Sequence, residues 1–276
     1  VDRKAPVVSC GSDDGSWHNA NVTITCTATD GGSDLADPAD ASFTLSTSVA
    51  AGDEDGNAST DSHDVADAVS NRATAGPITG IKVDRKAPTL TWSAGAGESF
   101  HFGAALTAPT CTAVDIGSGV PGGCSVSGFS TAVGTHTLVA SATDLAGNLA
   151  TETRIYTVLP WTLDGYYQPV NLAALNAVKA GSTVPLKFNV RRDGQTITDP
   201  AVLGARFGVV RTACPNEPLD PFEGFLSSGG TTLRYDPIGG QWIQNWATPK
   251  TAVGTCWKVT MTAADGSSIS ADFKLK

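Results

Sequence analysis

The chain has 276 residues, 41% of them hydrophobic and only 16% charged, with a net charge of -9. That much apolar material excludes wholesale disorder, and the length suggests two or three domains. Eighteen basic residues against 27 acidic ones do not supply the clustered Lys and Arg that phosphate neutralisation needs, so nucleic acid and anionic membrane are excluded as partners.

The opening residues Val1-Asp2-Arg3-Lys4-Ala5-Pro6 recur unchanged as Val83-Asp84-Arg85-Lys86-Ala87-Pro88. The segments after them recur as well. Cys26-Thr27-Ala28-Thr29-Asp30 answers to Cys111-Thr112-Ala113-Val114-Asp115, and Asp67 and Asn71 have the spacing of Asp144 and Asn148. Repeats fix architecture, so two homologous domains follow, about 1–84 and 85–159. Because the first begins on a linker, the chain is expected to be a piece of a longer exported protein. No segment in it reads as membrane-inserted.

Within each repeat the pattern is strand. Val22, Ile24, Cys26 and Ala28 alternate with threonines, and Phe43 with Leu45, then Leu138, Ala140 and Ala142, repeat the period of two. The best helix signal, Asp61 to Ser70, is short and equally readable as a loop. Beyond Pro160 the texture changes to an aromatic, proline-bounded stretch, Trp161 through Pro169. Strand patterns then resume at Val184, Leu186, Phe188 and Val190, at Trp257, Val259 and Met261, and at Ile269, Ala271, Phe273 and Leu275. Pro185 is expected at an edge or strand start, since it cannot donate to a ladder. A third domain over 160–276 follows. The fold class is all-β: three tandem Ig-like β-sandwich domains in an extended arrangement, joined by short proline-ended linkers.

Six cysteines fall as local pairs, Cys10 with Cys26, Cys111 with Cys124 and Cys214 with Cys256. An even count, one pair per domain and no zinc-type spacing, points to disulfides in an oxidising compartment. A loop of the Cys10–Cys26 size stabilises by roughly 3 kcal/mol in the chain-entropy model.

The Asp-Arg-Lys-Ala-Pro linkers, Cys26-Thr27-Ala28-Thr29-Asp30 and Ala142-Thr143-Asp144-Leu145-Ala146-Gly147-Asn148 make residues 1–159 resemble the bacterial immunoglobulin-like repeats of secreted and surface proteins, especially of actinobacteria. Residues 160–276 resemble the family named for its P-x-K-F motif, here Pro185-Leu186-Lys187-Phe188. Tyr167-Gln168-Pro169-Val170, Gly254-Thr255-Cys256 and Ala271-Asp272-Phe273-Lys274 add to that resemblance. Both resemblances imply an extracellular sandwich and bring no catalytic residue.

The four histidines lie far apart in sequence, and no nucleophile elbow, P-loop or dinucleotide fingerprint is present, so the chain is read as a non-enzyme. Calcium is the candidate cofactor, because hard cations take oxygen ligands from Asp-rich loops. Asp30, Asp34 and Asp67 are expected at one end of the first repeat, with Asp115 and Asp144 at the matching end of the second. Asp53-Glu54-Asp55-Gly56-Asn57 is a further acidic loop. Turn chemistry alone is the competing account of these residues. Trp242 and Trp246, two strand positions on one face, with Tyr166 and Tyr167, are the candidate ligand-binding platform for a glycan. Burial between domains is the competing account of the Trp161–Pro169 stretch. The expected function is a monomeric, non-catalytic spacer or adhesion module meeting a glycan or a surface protein, calcium-stiffened. The alternative is an accessory carbohydrate-binding region of a secreted glycoside hydrolase.

Overall fold

The computed structural model describes residues 1–93, 99–214, 219–221 and 232–276. The protein is all-β, and it divides into two compact units. One comprises 1–96, 108–129 and 137–155, the other 97–107, 130–136 and 156–276.

The first stretch carries β1 (Val7–Cys10), β2 (Trp17–His18), β3 (Thr23–Thr29), β4 (Ser42–Ser46), β5 (Glu54–Ala58), β6 (His63–Ala66), β7 (Arg72–Ala75) and β8 (Ile81–Asp84). They form a sheet β1-β3-β4, a sheet β2-β8-β5 and the hairpin β6-β7. In β3 the threonines point to solvent while Ile24, Cys26 and Ala28 are buried, as the alternation requires. The cores here are small: Ile24, Ala58, Ile81 and Val83 in one cluster, Cys26, Leu45 and Ala75 in another. Cys10 lies directly opposite Cys26 across β1 and β3, so this disulfide staples neighbouring strands of one sheet. The stretch Asp61 to Ser70 is hairpin, not helix. Val65 in β6 is fully buried, and Asp67 folds the turn into β7 by accepting hydrogen bonds from the Val69 and Asn71 amides.

The middle stretch carries β9 (Thr89–Trp92), β10 (Ser99–His101), β11 (Cys111–Val114), β12 (Ser125–Ser127), β13 (Gly134–Thr143) and β14 (Leu149–Leu159). Strand β9 pairs with β11, and the Arg154 guanidinium lies 5.2 Å above the Trp92 ring. Cys111 and Cys124 are bonded, so the expected second disulfide is present.

The last stretch builds a two-sheet sandwich. It holds β15 (Thr162–Tyr167), β16 (Leu175–Val178), β17 (Thr183–Arg192), β18 (Gln195–Thr196), β19 (Arg206–Thr212), β20 (Leu219–Pro221), β21 (Arg234–Asp236), β22 (Gln241–Ala247), β23 (Cys256–Thr262) and β24 (Ser268–Leu275). One sheet runs β15-β17-β22-β21, the other β19-β23-β24-β16-β20. Between them Val184, Leu186, Phe188 and Val190 meet Val259, Met261, Ala271, Phe273 and Leu275 in one core. Pro185 sits inside a central strand, opposite Asn245 of β22. It is tolerated because β15 pairs with β17 only from Lys187 onward, so an N–H is not needed on that side. Cys214 is bonded to Cys256 at the start of β23.

Trp161, ahead of β15, is buried within this second unit. Its backbone N–H donates to Asp265 Oδ2 at 2.6 Å and its indole Nε1–H to the Phe102 carbonyl at 2.8 Å. The Phe102 ring meets it edge-on, and Arg192 donates to the Gly103 carbonyl.

Candidate functional site

The repeat places carboxylates at matching positions, and the fold converts those positions into clusters. In the first repeat Asp2 comes from the linker, Asp30 from the end of β3 and Asp67 from the β6–β7 turn. One carboxylate oxygen of each lies within 4.8 Å of the others. Asp2 Oδ1 accepts from the Lys4 amide and its Oδ2 from the Ser33 amide and hydroxyl. Asp30 Oδ2 accepts from the amides of Gly32 and Ser33. Asp67, 1% exposed, accepts from the Val69 and Asn71 amides and the Asn71 side chain. A side chain at Gly32 would collide with the Asp2 carboxylate.

These bonds set the charge state. Burial pushes the Asp67 carboxyl up, but donors from Asn71, Ser33 and Val69 outweigh that and hold it below the usual carboxylate range. Asp2 is likewise held low, chiefly by the Lys4 amide, against the cost of burial and the neighbouring Asp67 charge.

The second cluster joins Asp84 of the linker, Asp115 at the end of β11 and Glu54 of β5, again within 4.8 Å. Asp84 is the repeat counterpart of Asp2 and Asp115 that of Asp30. Asp84 is fully buried. Its Oδ1 accepts from the Lys86 amide and its Oδ2 from the Ser118 amide, matching the bonds of Asp2 to Lys4 and Ser33. Asp115 accepts from the Gly119 amide at 2.9 Å. Glu54 stands opposite Asp84 in the β5–β8 ladder, so the first repeat lends a carboxylate to the cluster of the second. Its Oε2 is buried and takes no hydrogen bond; Lys86 Nζ stands 3.8 Å away. A Cβ at Gly117 would fall 2.8 Å from both Asp84 Oδ2 and Glu54 Oε2, so the approach of this loop depends on glycine.

Two expected metal residues lie outside the clusters. Asp34 adopts a positive φ of 65°, and its contribution to the turn is a carbonyl that accepts from the Ala68 amide. Asp144 spends its carboxylate on Asn148, at 2.8 Å from both the amide and the side-chain nitrogen. Asn148 in turn donates to the Asp84 carbonyl, so Asp144 supports the linker one step back. Sequence reasoning missed Asp2 and Asp84, and it set Glu54 in a separate acidic loop instead of joining it to Asp115. The exact repetition of the linker was the signal for Asp2 and Asp84.

The aromatic platform is corrected. Trp242 and Trp246 do share a face of β22, but it is the inner one. Trp242 is 1% exposed and its indole donates to the Ile197 carbonyl, while Trp246 packs edge-on against Phe273. Tyr166 is also buried, edge-on to Phe188, and burial pushes its phenol up. Rings so placed have no face to offer a sugar. Tyr167, half-buried opposite Lys187, is the one candidate with open surface.

No family model matches the chain, and no curated protein matches it. Among solved structures it is similar to the extracellular domain of protocadherin γB4, at 10% identity over 98% of this chain and 50% of that one, with a TM-score of 0.26. A tetra-tandem repeat from the extending region of a large adhesion protein is similar at 17% identity over 98% and 73%, with a TM-score of 0.30. A Bacteroides ovatus mixed-linkage glucan utilisation protein, SGBP-B, solved with a heptasaccharide, is similar at 13% identity over 66% and 44%, with a TM-score of 0.20. The chain thus spans half the length of the protocadherin structure. Likenesses this distant leave function to the residues themselves.

Proposed function

We propose that the chain is a non-catalytic extracellular spacer or adhesion module whose repeats are stiffened by calcium. The observation that carries this reading is the recurrence of a linker carboxylate, half-buried Asp2 and fully buried Asp84, beside a strand-end carboxylate, Asp30 and Asp115. Three bonded cysteine pairs fit an oxidising, extracellular setting. Calcium takes six to eight oxygens at about 2.3–2.6 Å, and the second cluster supplies three carboxylates. Buried Glu54 Oε2, which takes no hydrogen bond and has the Lys86 ammonium only at 3.8 Å, is the kind of acceptor such an ion would satisfy. When bound, calcium supplies the positive charge that lets three carboxylates stay together. Glu54, Asp84 and Asp115 would hold it, tying β5, the linker and the β11 loop at one point. The glycan reading has lost its tryptophan pair to the core, so adhesion to a surface partner is the reading we favour.

The test is thermal unfolding with calcium and then with EDTA. A saturable rise is expected, worth about 2.7 kcal/mol at a hundredfold excess over Kd, and Glu54→Gln should reduce it. An unchanged melting temperature across millimolar calcium would reject the calcium part of the reading.

A further inference from the structure

A different group of side chains, at the β1–β2 turn, has the makings of a second kind of metal site. His18 Nε2 lies 2.8 Å from Asp13 Oδ1 and 3.3 Å from Asp14 Oδ1, and the three ligand atoms lie within 4.8 Å of one another. The other two clusters offer only carboxylate oxygens. This one adds an imidazole, and imidazole with carboxylate is a donor set suited to zinc and its neighbours rather than to calcium. We infer that Asp13, Asp14 and His18 form a binding site for a divalent transition metal of the zinc class.

The spacing supports this beyond mere proximity. With metal–ligand bonds of about 2.0–2.2 Å, two ligands at angles between octahedral and tetrahedral stand roughly 2.9–3.4 Å apart; the His18–Asp14 contact of 3.3 Å falls within that range and the His18–Asp13 contact of 2.8 Å at its lower edge. One imidazole N–H serves one acceptor, yet two carboxylates converge on the same nitrogen, an arrangement a cation satisfies better than a proton. The ligands are also held in place. The Ser16 amide and hydroxyl both donate to Asp14 Oδ1, and the Gly15 amide donates to Asp13 Oδ2. Backbone pairing of His18 with Val83 fixes the imidazole's base, and such supporting bonds tune metal affinity. Lys82 donates to the Gly15 carbonyl at 3.3 Å and forms no ion pair with either carboxylate among those the structure gives. The Asp13 side chain is 12% exposed, His18 26% and Asp14 69%, so the group is backed by protein on one side and open to water ligands on the other. His63 meets the single carboxylate of Asp40 and lacks this convergence. All six cysteines are in disulfides, so no thiolate competes for the metal.

The test is calorimetric titration of the metal-stripped full chain with zinc chloride, alone and in millimolar calcium. One zinc per chain is expected, with the isotherm unchanged by calcium. His18→Gln and, on the exposed side, Asp14→Asn should each weaken binding by more than about tenfold, while His63→Gln should leave it unchanged. Zinc uptake that is absent in the native chain, or that survives His18→Gln and Asp14→Asn undiminished, would overturn the assignment. Loss of zinc on adding calcium would also overturn it, by placing the metal in the oxygen-only clusters.

Discussion

Asp67 is buried and takes three hydrogen bonds from the turn it organises. With Asp2 it is held below the ordinary carboxylate range. A carboxyl whose folded pKa lies below its unfolded value of about 3.9 contributes fully above that value, and the contribution is lost as pH falls through the folded one. The first repeat should therefore lose stability as pH drops below about 4, and Asp67→Asn should flatten that acid limb while lowering stability at pH 7. Urea midpoints of both proteins at pH 3 and pH 7 check this; a parallel decline would rule out Asp67 as a source. At this scale legibility was uneven. Asp30 follows β3, whose threonine alternation is plain, and Asp115 follows the matching Cys-Thr-Ala segment of the second repeat, so their placement could be read. The burial of Asp84 could not: its register in Ile81-Lys82-Val83-Asp84 matches the half-exposed Lys82, yet it is fully buried because the Gly117–Ser118 loop covers it.

Strands show the same division. The apolar run of β17 was readable because Val184, Leu186, Phe188 and Val190 obey the period of two, and all four are fully buried. Truncating Phe188 to Ala should cost about 3–5 kcal/mol, measured by chemical unfolding, while Lys187→Ala on the half-buried opposite face should cost far less. A difference under 1 kcal/mol would mean that the core near Phe188 collapses around the gap. β5, by contrast, has a sequence, Glu-Asp-Gly-Asn-Ala, that reads as a turn. It becomes strand because β8 offers it a ladder and Ala58 fits the core, an example of context overriding propensity. The same override made Trp242 and Trp246 unreadable. Even spacing put them on one face, but only the second sheet decides whether that face meets solvent or Phe273.

For the whole chain, the Cys10–Cys26 disulfide sits where apolar burial is thin. The first repeat's clusters hold four and three buried residues, with Cys10 packed against both, whereas the last sandwich buries a far larger core. Replacing Cys10 and Cys26 by Ala should cost about 2–5 kcal/mol and lower the melting of the first unit before that of the second, which calorimetry would resolve as separated transitions. Simultaneous melting would indicate cooperative coupling instead. The repeat organisation and the strand-rich class were legible because they live in local pattern; carboxylates drawn from two repeats into one cluster were not, because nothing local specifies them. Trp161 carries a practical corollary. A polypeptide beginning at Pro160, the natural cut from the sequence, leaves its indole N–H without the Phe102 carbonyl and Arg192 without Gly103. Such a fragment should expose an apolar face and self-associate, and the smallest well-behaved C-terminal piece should have to start upstream of Phe102.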